Sequence, residues 1–244
     1  MFHDTWEVDS IMTAKKVVQG MIVALAFLFT ATTGRAQGYR IFIMGGVSSL
    51  ADNNSFSERY KNYDSSYAGG GKGIFGVEMP FYKIFGLEVS YGIGSNNLEV
   101  TNLSTNPTTT ISYPVRGNRF SGDVVGHIPG TWRGMRFYGV VGLEYDLFAP
   151  TGAAQTNAKT EGFAFAPSAT LSSDSKPGYN AGGGIDYKLG SKVDLRLDVR
   201  DHMFGSPTFG LPQSPTSFSS AYFPISGSGH NLEYSIGLVY RFGK

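Results

Sequence analysis

The last strand-like segment of the chain constrains the fold most strongly. Between His230 and Phe242, apolar side chains occupy every second position, and polar or small side chains occupy nearly all of the others. Successive side chains of a β-strand point to opposite faces, so this pattern predicts a strand with one wholly apolar face. Val239 is the one apolar residue on the opposite face. The apolar face carries Leu232, Tyr234, Ile236, Leu238, Tyr240 and Phe242.

The N-terminal residues predict export from the cytoplasm. Lys15-Lys16 precedes an uncharged run with the apolar core Met21–Phe29, and Gly34 and Ala36 are small residues at the two positions that a signal peptidase reads. This pattern predicts a signal peptide over residues 1–36, and Met12 is an alternative translation start. The apolar core is shorter than the about 20 residues that span a bilayer, which disfavours the alternative of an uncleaved anchor.

Composition excludes several classes of protein. The formal net charge is +1, so no basic excess favours nucleic acid. The chain has no cysteine, which excludes disulfides and thiolate metal sites. After Ala36 no run is apolar enough for a membrane-spanning helix. A membrane protein without such a helix must be a closed β-barrel, because every backbone polar group needs a partner in lipid.

Eight two-faced segments follow the predicted signal peptide. Three connections between them are tight turns with Pro or Gly, at Met79–Lys83, Ile128–Thr131 and Lys188–Lys192. The other four connections are long and polar, and this alternation is typical of outer-membrane barrels with periplasmic turns and extracellular loops. The predicted strands are Tyr39–Ser48, Gly69–Met79, Lys83–Gly94, Gly117–Ile128, Trp132–Phe148, Tyr179–Leu189, Lys192–Phe204 and His230–Phe242, and the predicted loops are Leu50–Ala68, Ser95–Arg116, Ala149–Pro177 and Gly205–Gly229.

The orientation of the two faces separates a membrane barrel from a soluble exported barrel, which would bury its apolar face. The polar face carries small glycines and charges of both signs, and aromatic residues lie near segment ends, as in interfacial girdles. We therefore predict an all-β fold over residues 37–244: an eight-stranded antiparallel up-and-down transmembrane barrel, closed by pairing of its first and last strands. The aromatic residues are Tyr39, Tyr82, Trp132, Tyr187, Tyr240 and Phe242.

Two stretches resemble a known family. Ser235, Gly237, Tyr240 and Phe242 are similar to the C-terminal signal by which outer-membrane barrel proteins are recognised for insertion, and Leu195–His202 resembles a penultimate strand. Across about residues 37–242 the chain resembles the small eight-stranded barrels typified by the transmembrane domain of outer membrane protein A. The resemblance implies the cell outer membrane as location, with its lipid and the barrel-insertion machinery as partners. The cell-wall-binding domain of some relatives does not follow the last strand, so we expect no tethering to peptidoglycan through a second domain of this chain.

The polar face predicts a charge network inside the barrel. Because an eight-stranded barrel is just wide enough for its side chains, we expect a structural network that closes the lumen. The alternative is a gated ion path in which an arginine exchanges carboxylate partners. We accordingly predict a structural, surface-exposed role, with a narrow porin-like channel for ions or small solutes as the alternative. The predicted network comprises Glu78, Glu88, Asp123, Glu144, Asp186, Asp194, Arg196, Asp198, Arg200, Glu233 and Arg241, and Arg40, Asp146, Arg119 and Lys188 share its face.

Catalysis finds little support in the sequence. His230, Glu233 and Ser235 could serve a lipid-modifying barrel enzyme, but no nucleophile-elbow motif accompanies them. The glycine run Gly69–Gly73 contains Lys72 but lacks the spacing of a phosphate-binding loop. We therefore predict no catalytic, cofactor-binding or metal site. Whether the long loops bind an extracellular ligand stays open.

Overall fold

The computed structural model describes residues 38–52, 55–56, 63–102, 107–160, 169–212, 225–226 and 228–243. The signal peptide predicted for residues 1–36 lies outside these ranges and stays a prediction, as do parts of the predicted long loops. In chain order the elements are β1 (Arg40–Asp52), β2 (Ser55–Phe56), β3 (Tyr63–Ala68), β4 (Gly70–Tyr82), β5 (Phe85–Asn102), β6 (Thr109–His127), β7 (Met135–Pro150), α1 (Gly152–Thr160), β8 (Asp174–Lys188), β9 (Val193–Gly205), β10 (Ile225–Ser226) and β11 (Ser228–Arg241).

Eight of these strands form a closed antiparallel barrel in the order β1, β4, β5, β6, β7, β8, β9, β11. The ring closes between the first and last strands, where Arg40 pairs with Arg241 and the pairing continues to Asp52 and Gly229. Where all eight strands pair, the ring has no open sheet edge, as a strand structure in lipid requires. The predicted eight-stranded up-and-down barrel is thereby confirmed. No helix among the described residues is both long and apolar enough to span a bilayer.

The strands present apolar side chains on the outside of the barrel and polar side chains in the lumen. Val239, the exception on the last strand, faces inward and packs with Phe42 and Met44 in a small apolar cluster inside the tube. An outer apolar face is the reverse of a soluble barrel and is what lipid requires. Exposed members of the outer face include Ile43, Val47, Phe75, Ile93, Val141, Leu143, Val199, Ile236 and Leu238.

The apolar face changes sides at the long-loop end of β5. Tyr91 and Ile93 are exposed on the outer face, whereas Leu98 and Val100, a few residues later, are buried on the inner face. Strand Phe85–Asn102 therefore continues well past the predicted end at Gly94, and β6 likewise begins at Thr109 rather than at Gly117. The prediction of a loop over Ser95–Arg116 is thus wrong in its bounds. Beyond the bilayer the outer face meets water, so the strands bury apolar side chains inward, as soluble sheets do.

Helix α1 packs on this inward apolar surface. Its Ala154 and Ala158 are fully buried, and its Asn157 Nδ2 donates a hydrogen bond to Ser112 O at 2.7 Å on the outer part of β6. Thr151 N donates to Pro114 O at 3.0 Å, so α1 covers backbone carbonyls at a free strand edge. The predicted loop Ala149–Pro177 therefore contains a helix and the first residues of β8. The apolar mouth cluster comprises Leu98, Val100, Tyr113, Val115, Ala154, Ala158, Ala169, Leu171, Phe209 and Leu211.

The glycine run forms a bulge in the wall. Pairing with β5 stops at Lys72–Gly94 and resumes at Ala68–Asn97, so three residues on one strand face two on the other. A Cβ added at Gly70 would overlap the carbonyl oxygen of Ser95. Only glycine permits this close backbone approach, and bulges bend the strand that carries them.

The charged lumen as candidate functional site

Arg196 is the centre of the lumen network, and its side chain is 0% exposed. Its guanidinium donates hydrogen bonds from Nε to Asp186 Oδ1 at 2.8 Å, from Nη1 to Glu88 Oε2 at 3.0 Å and from Nη2 to Glu78 Oε2 at 2.9 Å. Arg196 lies on β9 and Glu88 on β5, directly across the ring, so this group bridges the full width of the tube. A charge buried to this extent persists only when its ion pairs and hydrogen bonds are complete.

Two aromatic rings complete the layer around Arg196. Its guanidinium carbon lies 5.1 Å from the ring centroid of Phe42 and 4.6 Å from that of Tyr138. The Tyr138 hydroxyl donates to the carboxylate of Asp198. A Cβ at Gly76 would overlap the Phe42 ring, so the absent side chain makes room for that ring. Cation–π contact and packing leave little free volume at this level of the lumen.

Carboxylates face one another on adjacent strands and would repel without arginine. Glu78, Glu88 and Asp123 pair in sequence across β4, β5 and β6. Like charges directly opposite destabilise a sheet. Arg200 offsets this repulsion by donating to Glu88 Oε1 at 2.6 Å and to Asp123 Oδ2 at 3.1 Å, and it also contacts Asp198 Oδ1 at 2.8 Å.

The network continues to the short-turn end of the barrel. Arg40 donates to Glu78 Oε2 at 2.7 Å and to Asp186 Oδ2 at 2.5 Å. Arg241 is half-exposed at the rim, where its Nη2 lies 3.1 Å from Asp194 Oδ1. The carboxylates at this end are therefore neutralised from within the barrel.

A second group of charges occupies the long-loop half of the lumen. Arg119 donates to Asp146 Oδ1 at 2.8 Å and to Glu233 Oε2 at 3.2 Å. Lys72 Nζ donates to the same Glu233 oxygen at 2.6 Å. These residues come from four of the eight strands, so ion pairs link half of the barrel wall at this level.

Ten of the eleven residues of the predicted charge network are buried inside the barrel. Lys188, which shares their face in the sequence pattern, is exposed and has no ion pair among the described residues. Arg241 lies at the rim. Buried inside the barrel are Glu78, Glu88, Asp123, Glu144, Asp186, Asp194, Arg196, Asp198, Arg200 and Glu233.

The predicted network omitted several residues that join it, among them two histidines and a lysine. His127 Nε2 lies 2.6 Å from Glu78 Oε1, and His202 Nδ1 lies 2.6 Å from Glu144 Oε2. Lys72 also joins it; the predicted strand Gly69–Met79 includes this residue, but the glycines around it hide the alternation that would place its side chain in the lumen. The sequence pattern could have identified His202, because this residue continues the series of charged residues at every second position of β9.

A cavity of about 50 Å³ lies between the Arg196 layer and the mouth cluster. Phe148, Phe204 and other apolar side chains form one part of its wall. Asp146 and His202 also line it, and each has a buried side-chain atom without a hydrogen-bond partner among the described residues. These unpaired polar atoms offer partners for water, and a cavity of this size has room for a few water molecules at about 10–15 Å³ each. The lumen is therefore roomier above the Arg196 layer than within it.

The residues considered for lipid-modifying catalysis do not assemble. His230 lies on the outer face of β11, where its Nδ1 is 3.0 Å from Asp201 Oδ2. Ser235 and Glu233 face the lumen on the same strand and are buried. The histidine is thus on the opposite side of the sheet from the serine and the acid, so these three side chains form no triad.

Aromatic side chains cluster at the end of the last strand. Tyr240 is exposed on the outer face, and its ring lies 4.6 Å from that of Phe242. Phe242, one residue beyond β11, stacks on Tyr39 with ring centroids 4.4 Å apart. Ser235 and Gly237 face inward, where a Cβ at Gly237 would collide with Met44. The four residues of the predicted insertion signal therefore divide between the two faces of the strand.

Comparison with known proteins agrees with this architecture. The family described as "Outer membrane protein beta-barrel domain" matches residues 21–242. The crystal structure of the outer membrane protein OprG from Pseudomonas aeruginosa is similar, with a TM-score of 0.55 at 15% identity over 86% of this chain and 99% of that chain. The crystal structure of Neisserial surface protein A (NspA) has a TM-score of 0.52 at 12% identity over 84% and 97% of the two chains. No curated protein sequence matches.

At these identities the likeness to solved structures shows the fold alone, whereas the family match spans most of the chain. The lipid-compatible outer face and the closed ring of eight strands are what that family requires. The protein therefore belongs to the outer membrane protein beta-barrel domain family and resides in the cell outer membrane.

Proposed function

We propose that the protein is a structural, surface-exposed barrel of the outer membrane that neither conducts ions nor catalyses a reaction. The main support for this proposal is the environment of Arg196. Its side chain is fully buried and hydrogen-bonded to carboxylates on opposite walls of the tube. The role proposed is membrane integrity and display of the extracellular end.

The energetics of the Arg196 layer support a closed lumen. Opening a path would separate Arg196 from Glu88 or Glu78 while all of these groups stay in the barrel. Removing one partner from a buried ion pair costs about 3–5 kcal/mol, since the remaining charge is uncompensated. A spontaneous opening of that cost would leave the open state below about 1% of molecules.

A narrow ion channel is the second candidate, and one observation favours it. Arg200 contacts Glu88, Asp123 and Asp198 at once, so it could release one carboxylate and keep two. The cavity above the Arg196 layer would then extend downward. We favour the structural role because this exchange would also have to move Arg196.

Planar-bilayer conductance separates the two candidates. We expect refolded wild-type protein to show no steady conductance above the lipid background. Arg196→Leu tests the layer, and Lys159→Gln, on the exposed side of α1, is the matched loss of a positive charge outside the lumen. A steady wild-type conductance that changes in Arg196→Leu but not in Lys159→Gln would establish the channel instead.

We also propose that Tyr240 and Phe242, with Ser235 and Gly237, are read by the barrel-insertion machinery. The aromatic pair at the strand end, with Tyr240 exposed and Phe242 partly buried beside it, supports this role. Phe242→Asp should therefore stop insertion, whereas Phe242→Tyr keeps the ring and should insert normally. Normal amounts of Phe242→Asp protein in the outer membrane would contradict the proposal.

A further inference from the structure

Each of the three periplasmic turns carries an aromatic residue followed directly by a cation. The pairs are Tyr82-Lys83, Trp132-Arg133 and Tyr187-Lys188. All three aromatic side chains are exposed, with 45–59% of their surface accessible. The repetition at three separate turns places three positive charges around one rim of the barrel.

Two of the cations are held over their aromatic neighbours. Lys83 Nζ lies 5.5 Å from the ring centroid of Tyr82, and the guanidinium carbon of Arg133 lies 5.2 Å from that of Trp132. Lys83 and Arg133 also have positive φ values of 34° and 51°. Glycine and asparagine adopt this conformation most readily, so folding alone does not favour Lys and Arg at these turns.

The rim is not neutralised by acidic residues. Among the described residues of the periplasmic end, Glu78, Asp186 and Asp194 are buried and paired with Arg40, Arg196 or Arg241, and no carboxylate is exposed. Lys83, Arg133 and Lys188, together with Lys192 in the third turn, have no ion pair among the described residues. The basic rim, defined as Lys83, Arg133, Lys188 and Lys192, therefore has an uncompensated positive charge.

We propose that the basic rim binds the phosphate groups of anionic glycerophospholipids in the periplasmic leaflet. Aromatic girdles lie at the level of the lipid headgroups, so the cation next to each girdle residue is held at the depth of the phosphates. A soluble acidic partner would need cations that project away from the membrane. Here Lys83 and Arg133 instead lie against the girdle rings, and no described residue accepts a hydrogen bond from them, which leaves their N–H donors for phosphate oxygens.

The test measures which lipids surround the barrel. Wild-type protein is reconstituted in vesicles of zwitterionic phosphatidylethanolamine and anionic phosphatidylglycerol, and spin-labelled lipids of each class report their relative association with the protein surface. We expect wild type to prefer the anionic lipid, with the preference weakening as salt increases. Each rim cation removed should lower the relative association of the anionic lipid by up to about fivefold at low salt.

The variants separate lipid binding from folding. Lys83→Asn and Arg133→Asn remove charge while suiting the positive φ, and Lys188→Gln completes a triple variant. Heat-modifiable migration on a gel should show that this variant folds. Lys159→Asn, an exposed cation on extracellular α1, is the control and should keep the wild-type preference.

Three outcomes would overturn the proposal. One is a folded triple variant with wild-type lipid preference, and another is equal loss in Lys159→Asn. The third is absence of anionic preference in the wild type. Purified peptidoglycan would then be tested for binding that the triple variant loses. That result would assign the basic rim to the cell wall.

Discussion

The membrane-embedded lumen and the extracellular mouth fill the same tube with opposite chemistry. Inside the bilayer, Arg196 and Arg200 are buried among carboxylates. At the mouth, Leu98, Tyr113 and Phe209 are buried among apolar side chains and α1. Strands β5 and β6 contribute to both regions, so the difference does not come from separate parts of the chain.

What surrounds the barrel decides which face is polar. In lipid the outer face must be apolar, and the alternation of a strand then assigns the polar residues to the lumen. Above the bilayer the outer face meets water, and the same strand can bury its apolar residues inward. The change between Ile93 and Leu98 on β5 therefore marks the outer boundary of the membrane. The part of β5 from Phe85 to Gly94 has about ten residues. A tilted strand needs about 9–11 residues to cross a bilayer, so this length fits.

The largest expected effect is in the charged lumen. Arg196→Leu leaves Glu78, Glu88 and Asp186 without their shared partner, so the free energy of unfolding should fall by about 3–5 kcal/mol. Urea unfolding in lipid vesicles, followed by tryptophan fluorescence, measures this change. Arg116→Leu, on the exposed outer side of the β6 extension, should change stability by less than about 0.5 kcal/mol. Equal effects of the two variants would remove the distinction between lumen and surface.

The outer face on the two sides of the boundary gives the next contrast. Ile236 is exposed at mid-strand on β11, so Ile236→Arg should cost about 2–4 kcal/mol of unfolding free energy in a bilayer. Asn97 is exposed on the outer side of the β5 extension, and Asn97→Arg should cost about 0–1 kcal/mol. The same urea experiment measures both variants. A large cost for Asn97→Arg would move the membrane boundary outward.

The apolar mouth should respond more locally. Leu98 is 0% exposed, and Leu98→Ala removes its packing at a cost of about 2 kcal/mol, the low end for such changes because the mouth can relax. We expect faster hydrogen exchange in α1 and unchanged exchange in the membrane-embedded part of β9, because local and global opening are distinct. Faster exchange throughout β9 would show that the two regions unfold as one unit.

Much of this fold follows from the sequence, because lipid enforces the alternation that the sequence displays. Each of the eight predicted segments contains part of one barrel strand, and the pairing of Arg40 with Arg241 at closure joins the first segment to the last. The extensions of β5 and β6 were missed because their apolar residues change face and interrupt the pattern. Helix α1 was missed because Gly152–Thr160 is short and has Gly, Thr and Asn, and its stability comes from packing on the mouth cluster.

The smallest contrast concerns the edge that α1 covers. Asn157→Ala removes the hydrogen bond to Ser112 O and should destabilise the docking of α1 by about 1 kcal/mol. Protease cleavage within α1 should accelerate by roughly fivefold, since cleavage follows the population of the open form. Thr156→Ala, on the exposed side of α1, is the matched control. Equal acceleration in both variants would show that the hydrogen bond to Ser112 O is not what holds α1 in place.

We propose that the Arg196 layer closes the tube without help from the mouth. Planar-bilayer recording of the double variant Tyr113→Ser/Phe209→Ser tests it most directly, because both residues are fully buried in the mouth cluster and distant in sequence from the layer. We predict that the variant, with its mouth opened, stays as silent as the wild type. A steady conductance that appears only in this double variant would contradict the claim, since the mouth would then be what seals the barrel.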